Sequence, residues 1–178
     1  MVKLSIRARR APETIMLELC RFSGFLAAHG FWSIRGGGPL IPIVALELPD
    51  GSRQMRGMAV EDLRQAVEMG QAHLESQPDG ARIAALIYDG YVTIEGEQRI
   101  DALLLDAREY AGEGRLKLAV PYRPAEHPDG LAVHRPKFLD LRASAETSPA
   151  DAGRAFFQGV DLHAEAAPLW NRHLDESL

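Results

Sequence analysis

The chain has 178 residues, a formal net charge of −5 and an isoelectric point of about 5.7. Hydrophobic residues make up 46% and charged residues 25%, which is ordinary globular usage and argues against a mainly disordered chain. The acidic balance argues against a nucleic-acid partner, which needs a basic face. The absence of about 18 consecutive uncharged apolar residues argues against a membrane partner.

The length predicts one domain, residues 1–178, which is large enough to fold without a metal, cofactor or disulfide. Cys20 is the only cysteine, and its apolar helical surroundings favour a buried thiol over a nucleophile. The basic segment Lys3–Arg10 precedes an apolar stretch, but charged residues interrupt that stretch and argue against an export signal. We therefore expect a cytoplasmic protein, and the excess of arginine over lysine favours a bacterial origin.

An amphipathic helix is predicted for residues 12–29. Pro12 suits the first helical position, where its missing N–H costs nothing, and Gly30 suits the C-terminal end. The apolar residues of this segment recur at helical spacing and form one stripe: Ile15, Leu19, Phe22 and Leu26.

The next segment predicts a short hairpin and a second helix. Residues 41–48 and 53–58 have strand character, and the turn chemistry of residues 49–52 joins them. Pro42 indicates that the first of these strands either lies at a sheet edge or begins there. The glycine-rich stretch Arg35–Gly38 lacks the spacing of a phosphate-binding loop and is interpreted as a connector. A second helix is predicted for residues 60–76.

Residues 82–110 carry the strongest strand signal. We interpret them as one long hairpin with arms 83–94 and 99–110, joined by residues 95–98, with a bulge at Gly90. The alternative is a tight turn at Asp89-Gly90, which would leave a short middle strand.

The C-terminal third predicts more strand and a final helix. Residues 116–122 predict a further strand. Residues 131–141 predict an extended segment that Pro136 limits to an edge or divides in two. Ser148, Pro149 and Asp151 form a typical helix start.

The predicted order is α-β-β-α-β-β-β-β-α. Strands that follow one another through short turns favour antiparallel pairing. The predicted fold class is α+β, a single domain with a mainly antiparallel sheet and helices packed on one face.

Two stretches are candidate binding sites. Tyr88, Asp89 and Tyr91 place two aromatic rings and a carboxylate at the predicted strand irregularity. Histidine beside charged groups can shuttle protons or bind metal, and the loop after residue 122 holds His127, His134 and Arg135. The six-residue gap between the two histidines fits no familiar metal spacing, so no metal is assigned.

No motif identifies a reaction, so the enzyme class stays open. The favoured hypothesis is a non-catalytic binding or protein-interaction domain, with possible self-association through an open sheet edge and a possible small-molecule or protein partner. The alternative is a small enzyme or metabolite-binding protein whose pocket contains the histidines and Asp89.

Overall fold

The protein is described by a computed structural model that covers residues 12–94, 98–143 and 146–178. Two predictions, the basic Lys3–Arg10 segment and the centre of the turn at residues 95–97, lie outside these residues. The described helices are α1 (Pro12–Ile34), α2 (Leu63–Glu75), α3 (Pro149–Asp161) and α4 (Ala167–His173). The strands are β1 (Ile43–Glu47), β2 (Arg53–Gly57), β3 (Ile83–Ile94), β4 (Gln98–Glu109), β5 (Arg115–Arg123), β6 (Ala132–Val133) and β7 (Lys137–Arg142).

The described strands form one antiparallel sheet in the order β2-β1-β3-β4-β5, and β5 pairs with β6 and β7 at its outer side. The predicted α+β class with a mainly antiparallel sheet is confirmed. The consecutive strands β1–β2, β3–β4 and β4–β5 pair through short turns, whereas the β1–β3 pair encloses β2 and α2. None of the described helices is both long and apolar enough to cross a bilayer.

The main core lies between one sheet face and α1, α3 and α4, where Phe31, Phe156 and Trp170 are fully buried. These three helices follow the prediction that the helices lie on one face. Helix α2 instead covers β1 and β3 on the opposite face, where Leu74 packs with Leu86. This second layer forms because both faces of β1 and β3 are apolar, whereas alternation along a strand usually leaves one face polar.

Two local predictions need correction, and a third is confirmed in one of its two forms. Helix α1 continues past Gly30 to Ile34, because Gly30 makes room for Ile87 of β3 rather than ending the helix. Asp62 is the N-cap of α2 and accepts from the N–H of Arg64, so this helix begins at Leu63. Segment 131–141 is divided into β6 and β7 around Pro136, which is one of the two outcomes predicted for it.

The long hairpin is confirmed, and the tight turn at Asp89-Gly90 is wrong. The register runs without a shift from Ile83, opposite Glu109, to Ile94, opposite Gln98, so the predicted bulge at Gly90 is also wrong. A Cβ atom at Gly90 would lie 2.7 Å from Cδ1 of Leu104, which indicates that the glycine admits this neighbouring side chain.

Candidate functional site: the outer edge of β2

Strand β2 forms one end of the sheet and pairs with β1 along its inner side only. All five of its residues are exposed, and no described strand pairs with its outer side. The turn before it contains the predicted loop chemistry, since Oδ1 of Asp50 accepts hydrogen bonds from both the N–H and the hydroxyl of Ser52. An exposed strand edge presents unpaired backbone groups that can pair with another chain.

The hydrogen bonds at the two ends of the β1–β2 ladder show which backbone groups face outward. Leu48 N–H donates to Ser52 O at 2.9 Å, and Met58 N–H donates to Pro42 O at 2.7 Å. In an antiparallel ladder, the residues of one strand alternate between hydrogen-bonded and non-hydrogen-bonded pairs. The even-numbered residues of β2 therefore bond to β1, and Arg53, Met55 and Gly57 direct their N–H and C=O groups outward.

Contacts with the core side hold β2 in place. The Arg53 guanidinium lies 5.4 Å from the ring centroid of Phe22 and 5.3 Å from that of Phe25, both on α1. Its Nε donates to Oε2 of the buried Glu47 at 3.0 Å. Glu47 in turn pairs with Arg82, which also bonds Glu18 of α1. The edge is thus a fixed strand with an open outer side.

The opposite end of the sheet differs from β2 in its geometry. Strand β7 contains a register irregularity, because Asp140 lies opposite Lys117 whereas Phe138 lies opposite Leu118, which leaves Leu139 without a counterpart. Such bulges interrupt the regular row of backbone groups and discourage further pairing. Strand β2 has an unbroken register with β1 and lacks this protection.

Of the predicted binding residues, Asp89 and Tyr91 share one face of β3, and Tyr88 lies on the other face, near Leu86. Asp89 accepts a hydrogen bond from the Tyr122 hydroxyl at 2.9 Å. Burial raises the pKa of the Asp89 carboxyl above its usual range, and burial together with Asp89 raises the pKa of Tyr122. Tyr91 is exposed, and the Arg99 guanidinium lies 3.5 Å from its ring centroid.

The three predicted residues of the following loop have separate partners. His127 is exposed, and its Nδ1 accepts from the N–H of Asp129 at 3.1 Å. His134 is buried, and its Nδ1 donates to the carbonyl oxygen of Asp175 at 2.8 Å. Arg135 pairs with Glu176. His134 and Arg135 therefore hold the C-terminal segment, and they share no contact with His127 or Asp89.

Sequence reasoning missed the roles of Tyr122 and of the outward-facing groups of β2. Asp89 is on β3 and Tyr122 is on β5, and their side chains meet across the intervening strand β4. This contact depends on the strand order, which no local sequence pattern shows. Within the described residues, no group of three or more His, Cys, Asp or Glu side chains is arranged to hold a metal ion. Comparison with known proteins found no matching family, no matching curated protein and no matching solved structure.

Proposed function

We propose that this chain is a protein-interaction module that associates with a second copy of itself through the outer edge of β2. The observation that carries the proposal is the outward row of backbone groups at Arg53, Met55 and Gly57 on a fully exposed strand. A cytoplasmic location belongs to the same proposal, since the single thiol, Cys20, is buried and needs no partner.

A two-fold axis beside Met55 gives a pairing in which every outward group of β2 is used. In that antiparallel register Met55 lies opposite Met55 of the second copy, and Arg53 lies opposite Gly57 of the second copy. Both are hydrogen-bonded pairs, so each N–H of the row meets a carbonyl. A register shifted by one residue would place outward groups opposite inward ones and lose this match.

The side chains are compatible with the same register. Like charges at directly opposite positions destabilise a strand pair. Centred on Met55, the pairing puts Gln54 opposite Arg56 and Arg53 opposite Gly57, so no arginine faces another directly. The two Met55 side chains meet on the α1 side of the sheet and bury apolar surface that is 44% exposed in the single chain.

The pairing of one five-residue edge is small beside a standard interface of roughly 1,200–2,000 Å². We therefore expect a reversible dimer with a dissociation constant in the micromolar range or weaker, on the order of −8 kcal/mol or less favourable. Sedimentation velocity over a concentration series from about 5 μM to 1 mM should show a concentration-dependent shift from monomer to dimer.

Three variants make the test specific. Met55→Lys places two ammonium groups together at the axis and should abolish the dimer, and Met55→Glu should do the same with carboxylates. Mixing these two variants should restore dimers, because lysine then lies opposite glutamate. Leu139→Lys changes an exposed apolar residue on the other edge strand and should leave association unchanged.

A wild-type chain that stays monomeric at 1 mM would overturn the proposal. So would a Met55→Lys variant that dimerises as the wild type does. If Leu139→Lys lost the dimer while Met55→Lys kept it, the interface would be at β7 instead of β2.

A further inference from the structure

Three arginines from distant parts of the chain form one row across the far side of the sheet. Arg108 of β4 lies directly opposite Arg115 of β5, and Arg115 lies directly opposite Arg142 of β7. Side chains at directly opposite positions project from the same face, with Cβ atoms about 5 Å apart. The neighbours Ala107 and Leu116 are in the core beside α1, so the row faces the other side.

The row is only partly neutralised by its surroundings. Nη2 of Arg108 donates to Oε1 of Glu75 at 2.6 Å, and its Nε lies 3.9 Å from Oδ1 of Asp106. Nε of Arg142 lies 2.8 Å from Oδ2 of Asp140. Arg115, in the middle, makes no hydrogen bond or ion pair with any residue of the described ranges. A central cation between two others is unfavourable without a counter-charge, since like charges opposite each other repel.

A depression of about 530 Å³ lies at this row and has the size of a small-molecule site. Its lining includes the three arginines with Glu75, Tyr110 and Glu113. The hydrogen bond from Arg108, aided by the charges of Arg115 and Lys117, lowers the pKa of the Glu75 carboxyl below its usual range. The arginines of the depression thus already stabilise one carboxylate in its lining.

The remaining carboxylates of the lining differ in position. Glu109 alternates with Arg108 along β4, and its Cβ lies on the α1 side near Gly114, where its Oε1 accepts from the N–H of Ala111 at 2.9 Å. Glu113 is exposed in the turn between β4 and β5. Arg115 is therefore the open guanidinium of the row, since Glu75 holds Arg108 and Asp140 pairs with Arg142.

We propose that the row Arg108–Arg115–Arg142 binds an oxyanion group, of the phosphate or carboxylate kind, on a small molecule. Guanidinium groups present planar pairs of N–H donors that match the oxygens of both groups. Arg115 holds the anion with Arg142 beside it, and Glu75 and Asp140 act as internal competitors that occupy Arg108 and Arg142. This site is separate from the predicted His127 and Asp89 pocket and from the β2 edge.

NMR titration of the full chain with inorganic phosphate and, separately, with citrate tests this site. The arginine Nε–Hε signals of the row should shift and saturate at millimolar ligand or below, and binding should weaken as salt is added. Saturation by phosphate alone identifies the phosphate kind, saturation by citrate alone identifies the carboxylate kind, and both results support the site.

Two variants should change the affinity for the anion in opposite directions. Arg115→Gln should weaken binding at least tenfold. Glu75→Gln should tighten it several-fold by releasing Arg108. Arg154→Gln, which removes an exposed arginine of α3 that pairs with Asp151, should leave it unchanged. The proposal is overturned if neither anion saturates these signals, or if Arg115→Gln binds as the wild type does while its spectrum shows a folded chain.

Discussion

His29 of α1 and His163 of the connection between α3 and α4 share a hydrogen bond, with Nδ1 of His29 3.0 Å from Nε2 of His163. Nδ1 of His163 accepts from the N–H of Ala166 at 3.2 Å, so the proton of a neutral His163 is on Nε2. His163 therefore donates, and His29 accepts while its own proton is on Nε2. Protonation of Nδ1 on either ring would remove one of these two hydrogen bonds.

We expect the free energy of unfolding to fall as the pH falls below about 6.5. Burial first, and then the charge of His163, lowers the pKa of His29 below its usual value, and the negative charge of Glu165 opposes this. In the unfolded chain His29 takes up a proton near pH 6.5, so the unfolded state binds more protons in the window just below that value. Urea unfolding at pH 7.5, 6.5 and 5.5 measures the effect.

The His29→Gln variant isolates this contribution, because its amide oxygen can accept from His163 without titrating. Its stability should be close to that of the wild type at pH 7.5 and should decline less at pH 5.5. His127→Gln, at an exposed histidine, should keep the wild-type pH dependence. An equal decline in His29→Gln and the wild type would show that this pair is not the origin.

Two glycines set the distance between α1 and α3. A Cβ atom at Gly24 would overlap the carbonyl oxygen of Phe156, and one at Gly159 would overlap the carbonyl oxygen of Arg21. Gly24→Ala and Gly159→Ala should each lower the free energy of unfolding by about 3 kcal/mol or more, because backbone atoms must move apart. Chemical denaturation of both variants gives these values.

Gly153 provides the control within α3, since nothing lies within 4 Å of a Cβ atom added there. Gly153→Ala should raise the free energy of unfolding by about 0.5–1 kcal/mol through the better helix propensity of alanine. If Gly159→Ala proved as stable as Gly153→Ala, the close contact of the two helices would be refuted.

Asp89→Asn should stabilise the protein at pH 7. The pKa of the Asp89 carboxyl is raised in the folded state. The contribution of this carboxyl to stability is therefore fully present below its pKa in the unfolded chain, about 3.9, and is lost as the pH rises through its pKa in the folded protein. Asparagine removes the partly buried charge and keeps an oxygen for the Tyr122 hydroxyl. Thermal unfolding should show a gain at pH 7 that diminishes toward pH 3.

Asp50→Asn is the matched control for this change. Hydrogen bonds from Ser52 lower the pKa of the exposed Asp50, so removal of its charge should bring no gain at pH 7. A destabilised Asp89→Asn variant at neutral pH would contradict the assigned cost of burying this carboxylate.

Cys20 should react with a thiol reagent only when the chain unfolds. The side chain is fully buried in α1, and burial raises the pKa of its thiol to about 12, so thiolate is scarce at neutral pH. Labelling should be slow in buffer and accelerate through the urea transition, whereas the exposed thiol of a Ser177→Cys variant should react at once. Rapid native labelling of Cys20 would contradict this placement.

Local features of the sequence were sufficient for most of the secondary structure. The serine cap before Pro149, the turn at residues 49–52 and the strand division at Pro136 all follow from preferences of a few neighbouring residues. The same reasoning was wrong at Gly30 and Gly90, because a glycine that ends a helix or makes a bulge looks identical in sequence to one that admits a distant side chain.

The candidate sites required the tertiary structure. Arg115 and Arg142 become neighbours only through the β5–β7 register, and His29 and His163 are 134 positions apart. The strand order decides that β2 has a free edge. The alternation of hydrogen-bonded pairs between β1 and β2 decides which backbone groups of β2 face outward.

The sequence by itself determined the α+β class, favoured the long hairpin over the tight turn and gave approximate boundaries for most elements, because backbone preferences and apolar periodicity act over short stretches. Only the tertiary structure decided which strands adjoin, which face α2 covers and which charged groups meet. Those outcomes depend on the total surface buried by the whole chain, and no segment contains that information alone.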